Sequence, residues 1–463
     1  MANLAAQKYS IIFKNINLMS KEILNLEPKA IWKHFYSLTQ IPRPSKHEDE
    51  IQAFMVKFGN SLGLETIKDE VGNVIIRKPA TPGMEDRKGV VLQGHLDMVP
   101  HKNSDKNHIW TKDPIDAIID GEWVTADGTT LGADNGIGAA AAMAVLEATD
   151  LEHGPVEALF TIDEETGMTG ANWLKPGILK GDILINMDSE DEGELYIGCA
   201  GGIDTLIEME YETEEVKGDF EYYEIIVNGL RGGHSGDDIQ KGYGNAVKIL
   251  NRILWEASNK NELRLASFKG GNLRNAIARE AFAKTCIPSQ QKKEFEKLLI
   301  RLAQDIKAEY AITEEGLNIS FVNSSDKEDV MLMEYQNALL NSLYSCPHGV
   351  IAWSQSIPNF VETSTNLAAV KTKDGYFKIT TSQRSSDESA KNDVANMEKS
   401  VFELTGARIE QTGGYPGWQP NPNSKIMAET VKSYKRLFGN EPEVLAIHAG
   451  LECGLIGDTY PEM

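Results

Sequence analysis

Four short runs in this chain, "NVIIRK", "GVVLQGH", "EALFTID" and "DILINMD", are nearly all apolar, and three of them stop on a histidine or an acid. Runs of that length without polar alternation suit strands covered on both faces, the position strands occupy in a sheet packed between helices. Between them, "NGIGAAAAMAVLEA" has the make-up of a helix opened by glycines and Asn135. Upstream, "PKAIWKHFYSL" and "HEDEIQAFMVKFGNSLG" carry helical spacing, interrupted by a turn at "IPRPS". Strands alternating with helices predict an α/β domain with a mostly parallel sheet sandwiched by helices.

The pattern changes after about residue 205. "YYEIIVNGLRGGHSG", "NLRNAIAREAFAKTCI", "LNISFVNSS" and "GYFKITTSQRS" alternate like strands with one wet face, and amphipathic helices such as "KKEFEKLLIRLAQDIKAEY" lie among them. With 463 residues the chain is long enough for more than one core. The expected order is an N-terminal extension over 1–20, the first part of the α/β domain over 21–205, an inserted α+β domain over 206–412, and the second part of the α/β domain over 413–463. In the last part, "PEVLAIHAG" is expected to rejoin the α/β core as a strand.

Charge narrows the partners. There are 69 Asp and Glu against 46 Lys and Arg, a net −23, with no basic cluster, which argues against nucleic acid or an anionic membrane. No run approaches the roughly 20 apolar residues that span a bilayer, and the first residues lack the apolar core and cleavage site of a secretory signal. Cys199, Cys286, Cys346 and Cys453 have no metal-type spacing and read as reduced thiols of a cytoplasmic protein.

The chemistry gathers at the ends of the apolar runs. His95 and Asp97 are two residues apart, so in a strand they point to one face. Asp163, Glu164 and Glu165 follow the next run, Asp188 follows the last, and Asp134 of "GTTLGADNGIG" precedes the helix. In open parallel sheets the carboxyl ends of the strands line one crevice, so these segments are expected to converge. That many carboxylates crowd together only where cations offset their repulsion. One histidine among Asp and Glu oxygens suits Zn²⁺, Mn²⁺ or Co²⁺. Two such ions sharing a carboxylate bring the pKa of a water between them from about 15.7 toward 7, a nucleophile at neutral pH.

"GHLDMVP", "GTTLGADNGIGAA", "TIDEETGMTGA", "NMDSEDEGELYIGCAGG", "LRGGHSG" and "HAGLECG" together resemble the aminoacyl-histidine (Xaa-His) dipeptidases, members of the two-zinc exopeptidases that include tripeptide aminopeptidases and glutamate carboxypeptidases. The resemblance runs from about residue 21 onward and implies the zinc-exopeptidase fold, with the inserted domain as lid and dimerisation domain. It implies two divalent ions per subunit, with His95 and Asp188 on one, Glu165 on the other and Asp134 bridging. Asp97 would orient His95, and Glu164 would be the general base that activates a metal-bound hydroxide and then protonates the leaving amine. His234 would stabilise the oxyanion in a second subunit's site. Asn275 and Arg384 would bind the substrate's carbonyl and terminal carboxylate. The substrate would be a small peptide, and the protein a cytoplasmic homodimer joined through its lids.

The family's further metal-binding histidine, in a segment of the "HSPDE" type, has no counterpart among these nine histidines, none of which precedes Ser-Pro. The second metal site is therefore expected to be incomplete and the chain to be truncated at its C-terminus, with impaired activity. Two other functions fit the same residues: a non-catalytic, metal-binding dimeric scaffold, or an amidohydrolase acting on N-acyl amino acids.

Overall fold

In the computed structural model, Glu65–Lys68 (β1) and Val74–Lys78 (β2) form an antiparallel pair beside three longer-range strands, Val90–His95 (β3), Val156–Thr161 (β4) and Ile183–Asn186 (β5). The sheet order is β1-β2-β4-β3-β5, with β4, β3 and β5 parallel and β2 antiparallel to β4. The three strands whose ends carry the acids are thus parallel, and the antiparallel pair forms one edge. All six residues of β4 are buried, as a run without polar alternation requires. The structure describes residues 20–373 and 375–463. The extension expected over 1–20 lies, but for its last residue, outside the described residues.

Helices Lys29–Thr39 (α1), Asp49–Ser61 (α2) and Ala133–Glu147 (α3) build the core around this sheet. Phe35 and Leu38 of α1, Ile51 and Met55 of α2, and Ala139, Ala140 and Met143 of α3 join Phe160 of β4 in one apolar cluster. Each large side chain among them contributes about 1.5–3 kcal/mol by leaving water. The glycines around α3 set how closely it approaches the strand ends. A Cβ on Gly94 would fall 2.2 Å from Asn135 Oδ1, and one on Gly138 would fall 2.5 Å from the Met187 carbonyl.

The described residues divide into two compact units, the first made of those up to 195 with 428–443 and 455–463, the second of 196–427 and 444–454. Glu194–Cys199 (β6) begins in the first unit and carries the chain into the second, which is built on a nine-stranded antiparallel sheet. Its strands are Gly201–Glu210 (β7), Phe220–Asn228 (β8), Arg264–Gly270 (β9), Ala281–Pro288 (β10), Asn318–Asn323 (β11), Gly349–Trp353 (β12), Val361–Lys373 (β13), Tyr376–Ser385 (β14) and Arg408–Tyr415 (β15). The order is β11-β8-β10-β9-β13-β14-β7-β15, with β12 added on β13. Helices Ala246–Asn261 (α4), Lys292–Glu309 (α5), Met333–Ser345 (α6) and Glu388–Glu403 (α7) lay Leu250, Phe295, Leu339 and Phe402 on Tyr223, Phe268 and Phe377 of the sheet. Side chains cap two of these helices: Asn245 accepts from the N–H of Val247 and Lys248, and Asp387 accepts from Ala390. Lys248 Nζ donates to the carbonyls of Leu343, Tyr344 and Cys346, where a cation suits the end of α6.

"PEVLAIHAG" departs from expectation. Glu443–Ile447 (β16) pairs with β6 in a two-stranded sheet and does not enter the sheet of the first unit. Its apolar residues are half-buried, unlike those of β4, and the Ala200 N–H bonds to the carbonyls of Ile447 at 3.0 Å and Ala449 at 3.1 Å. A half-buried ribbon accommodates that sequence as well as an inner strand would. Among the described residues, no helix is long and apolar enough to cross a membrane.

Candidate metal centre

His95 closes β3, Asp188 lies two residues past β5, and Glu164 and Glu165 open the turn after β4, so the parallel strands deliver all of them to one rim. Asp134 comes from the entry to α3. Donor atoms of His95, Asp134 and Glu165 lie within 4.8 Å of one another. His95 Nε2 is 2.8 Å from Asp134 Oδ1 and 3.6 Å from Asp188 Oδ1. The other ring nitrogen, Nδ1, faces Asp97 Oδ1 at 3.3 Å, which leaves Nε2 directed at the acids. Asp97 itself is anchored by Ser45 Oγ at 2.8 Å and by the backbone N–H groups of Glu164 and Glu165 at 3.0 and 3.2 Å. Asn135 Nδ2 donates to the Met187 carbonyl and to Asp188 Oδ1, and the Asp188 N–H bonds to Asn186 Oδ1 at 3.0 Å.

The electrostatics follow from this crowding. Burial, reinforced by neighbouring acids, pushes Glu164 up to about 7, Glu165 to about 6 and Asp188 to about 8. Burial opposes charge on the His95 ring, yet its bonds to Asp134 and Asp97 prevail and raise it to about 11. The Asp134 carboxyl is held below its usual range, chiefly by the bond to His95. One imidazole does not balance four acids. The donor set, a nitrogen and several carboxylate oxygens on a rigid rim, fits divalent zinc, manganese or cobalt.

Residues 91–462 match the peptidase family M20/M25/M40. The chain belongs to that family. Over 442 residues this M20 peptidase is 45% identical to the cytosol non-specific dipeptidase of Escherichia coli (strain K12), covering 96% of this chain and 91% of that protein. The crystal structure of aminoacylhistidine dipeptidase from Vibrio alginolyticus matches with a TM-score of 0.90 and 44% identity, over 95% of this chain and 90% of that one. Aminopeptidase PepT from Bacillus cereus ATCC 10987, at 16% identity and a TM-score of 0.52 over 93% of this chain and 87% of that one, shares the fold.

In this M20 metallopeptidase the remaining candidates belong to the second unit. His234 Nδ1 faces Asp237 Oδ2 at 2.9 Å, and the neighbouring Ser235 N–H bonds to the Asn275 carbonyl at 2.8 Å. Arg384 is buried, with Nε donating to Ser235 Oγ at 3.4 Å and Nη1 to the Tyr415 hydroxyl at 3.1 Å. Asn366 Nδ2 forks onto the carbonyls of Arg274 and Ala276, the residues on either side of Asn275. His448 is buried against Ser364 Oγ at 2.7 Å, and burial beside Arg384 lowers its pKa to about 3, so the ring is neutral.

Sequence reasoning passed over Arg43, Ser45 and Glu48. Glu48 Oε1 accepts the N–H of Asp163, which has φ 51°, and so holds the turn that presents Glu164 and Glu165. Thr166 and Thr169 donate their hydroxyls to Asp163, which makes that acid a brace for the turn. "IPRPS" signals only a turn, and an Arg held between two prolines was the available sign.

Proposed function

We propose that this chain hydrolyses dipeptides, with aminoacyl-histidine peptides as preferred substrates, in the cytoplasm. The observation that carries the reading is the meeting of His95, Asp134 and Glu165 within 4.8 Å at the rim of parallel strands, in a chain 44% identical to an aminoacylhistidine dipeptidase. The name of the Escherichia coli relative adds the compartment.

Two divalent cations are assigned here, zinc before manganese or cobalt, one to His95 and Asp188, the other to Glu165, with Asp134 shared. The second has fewer protein donors among the described residues and is the weaker. Bound there, such ions polarise a carbonyl and acidify water. The chain's own residues do the rest. Asp97 fixes the His95 ring through Nδ1. Glu164 takes a proton from the attacking water and passes it to the departing amine. His234 offers an N–H to the carbonyl oxygen as it gains charge. Asn275 binds the substrate carbonyl, and Arg384 binds its carboxylate. Dimerisation through the second unit, with His234 serving a neighbouring subunit, completes the proposal; light scattering that finds only monomer removes that part.

The decisive experiment measures hydrolysis of Ala-His, β-Ala-His and an N-acyl amino acid side by side, after chelation and after zinc is restored, with bound metal counted. Zinc-restored cleavage of the dipeptides, fastest of the three, is expected. Confirmed metal without dipeptide cleavage, or faster cleavage of the acyl amino acid, overturns the reading.

A further inference from the structure

Arg43 carries a charge into the interior of the first unit without meeting a carboxylate. The residue is 2% exposed. Nη1 donates to the carbonyls of Leu96 at 2.9 Å and Asp97 at 3.0 Å, and Nη2 donates to the carbonyl of Gly132. These carbonyls belong to two separate stretches: Leu96 follows His95, and Gly132 lies two residues before Asp134. Main-chain bonds fasten the Arg43 segment to the first stretch, since the Met98 N–H reaches the Arg43 carbonyl at 3.1 Å and the Ser45 N–H reaches the Met98 carbonyl at 3.3 Å. The two stretches also meet further along, where the Thr130 N–H reaches the His101 carbonyl at 2.8 Å and its hydroxyl reaches the Val99 carbonyl at 2.6 Å. The guanidinium fork ties them next to the two donors, from Leu96 and Asp97 to Gly132, a span that suits a planar, multi-donor group.

The glycines of "GADNGIG" shape the space it fills. Gly132 has φ +69°, and a Cβ there would fall 2.6 Å from Arg43 Nη2; one on Gly136 would fall at the same 2.6 Å. Two glycines on one turn therefore line a cradle for one guanidinium. Buried charge is costly unless it is matched. Burial lowers the Arg43 pKa to about 10, and the field of Asp97, Asp134 and Glu165 works against that fall.

We infer that Arg43 is a positioning residue for the metal centre: it locks the stretch bearing His95 to the stretch bearing Asp134, so that the two donors are in register before a cation arrives. The inference rests on the proposed assignment of His95 and Asp134 as metal ligands. Arg43 touches neither ligand side chain. Its effect is on how much rearrangement metal binding requires.

The test is the zinc affinity of metal-depleted full-length protein, read by competition with a chromophoric chelator, alongside thermal midpoints. Arg43→Gln is expected to weaken zinc binding about 10–100-fold, the range for groups that orient ligands. Arg43→Lys keeps the charge but cannot fork, so it should recover the thermal midpoint more than the affinity; it also carries the test if the glutamine variant does not fold. Gly136→Ala should weaken zinc binding in the wild-type background by pushing the guanidinium aside, and should cost little further in the Arg43→Gln background. The Phe35 ring, 3.1 Å from the added Cβ, must yield in both backgrounds and so cancels in the comparison. Wild-type zinc affinity in folded Arg43→Gln or Arg43→Lys, or strictly additive effects of the two substitutions, overturns the inference. Failure of the wild-type protein to bind any divalent cation would instead overturn the metal assignment beneath it.

Discussion

Asp97 in the first unit and Glu398 in the second are both fully buried acids, and their environments drive them in opposite directions. Burial works against ionisation of Asp97, but the His95 bond, two backbone N–H groups and the Ser45 hydroxyl outweigh it, and its pKa lies below the ordinary range. Among the described residues Glu398 receives the Thr365 hydroxyl and the Cys346 thiol, with Lys248 nearby, and burial pushes it up to about 7. Depth is the same; donors differ. The first unit spends main-chain donors on keeping an acid charged where charge orients an imidazole. The second tolerates an acid that does better neutral.

The largest expected effect tests whether the charged rim is chemical. Glu164→Gln should reduce kcat about 10²–10⁴-fold, the span of general acid–base catalysis, while zinc content measured by atomic emission stays at the wild-type level. Loss of metal together with activity would make Glu164 a ligand and undo the division of labour with Glu165.

Asp97→Asn probes the donor count directly. The amide cannot answer four donors, so zinc affinity should fall about 10–100-fold, with turnover recovering at saturating zinc. An unchanged affinity would show that the contacts around Asp97 serve packing alone.

Glu398→Gln probes the other side and should leave turnover untouched. Because the folded-state pKa of Glu398 is raised, its favourable contribution is complete below the unfolded value near 4.5 and is lost as pH climbs through about 7. The loss is about 3 kcal/mol across that window. The glutamine variant should therefore gain in thermal midpoint over wild type on going from pH 5 to pH 8. A midpoint difference that does not change with pH would show that Glu398 is ionised in the fold, like Asp97.

Much of this was legible in the chain. "GVVLQGH" and "DILINMD" share an apolar continuity and each run ends on a ligand-type residue, so the rim is legible; the covering is not, since β5 is the half-buried edge of the sheet with Ile185 exposed, while β4 is buried throughout. The helix expected at "NGIGAAAAMAVLEA" spans Ala133–Glu147. Arg43 was not legible, because its partners are main-chain carbonyls that no side-chain pattern reports. Nor was the pairing of β16 with β6: an apolar run of five residues fits an inner strand and a half-covered ribbon alike, and only long-range competition decides. The antiparallel edge of β1 and β2 escaped for the same reason, since direction is set by how the connection closes.

Neither unit is drawn from a continuous length of polypeptide. The Tyr460 hydroxyl takes the N–H groups of Ile178 and Leu179 and donates to the Lys175 carbonyl, closing the first unit with a residue translated long after its partners. The second unit likewise waits for residues 444–454. A nascent chain on the ribosome thus exposes two unfinished cores at once, and a premature stop near residue 440 would deprive both of their closing segments.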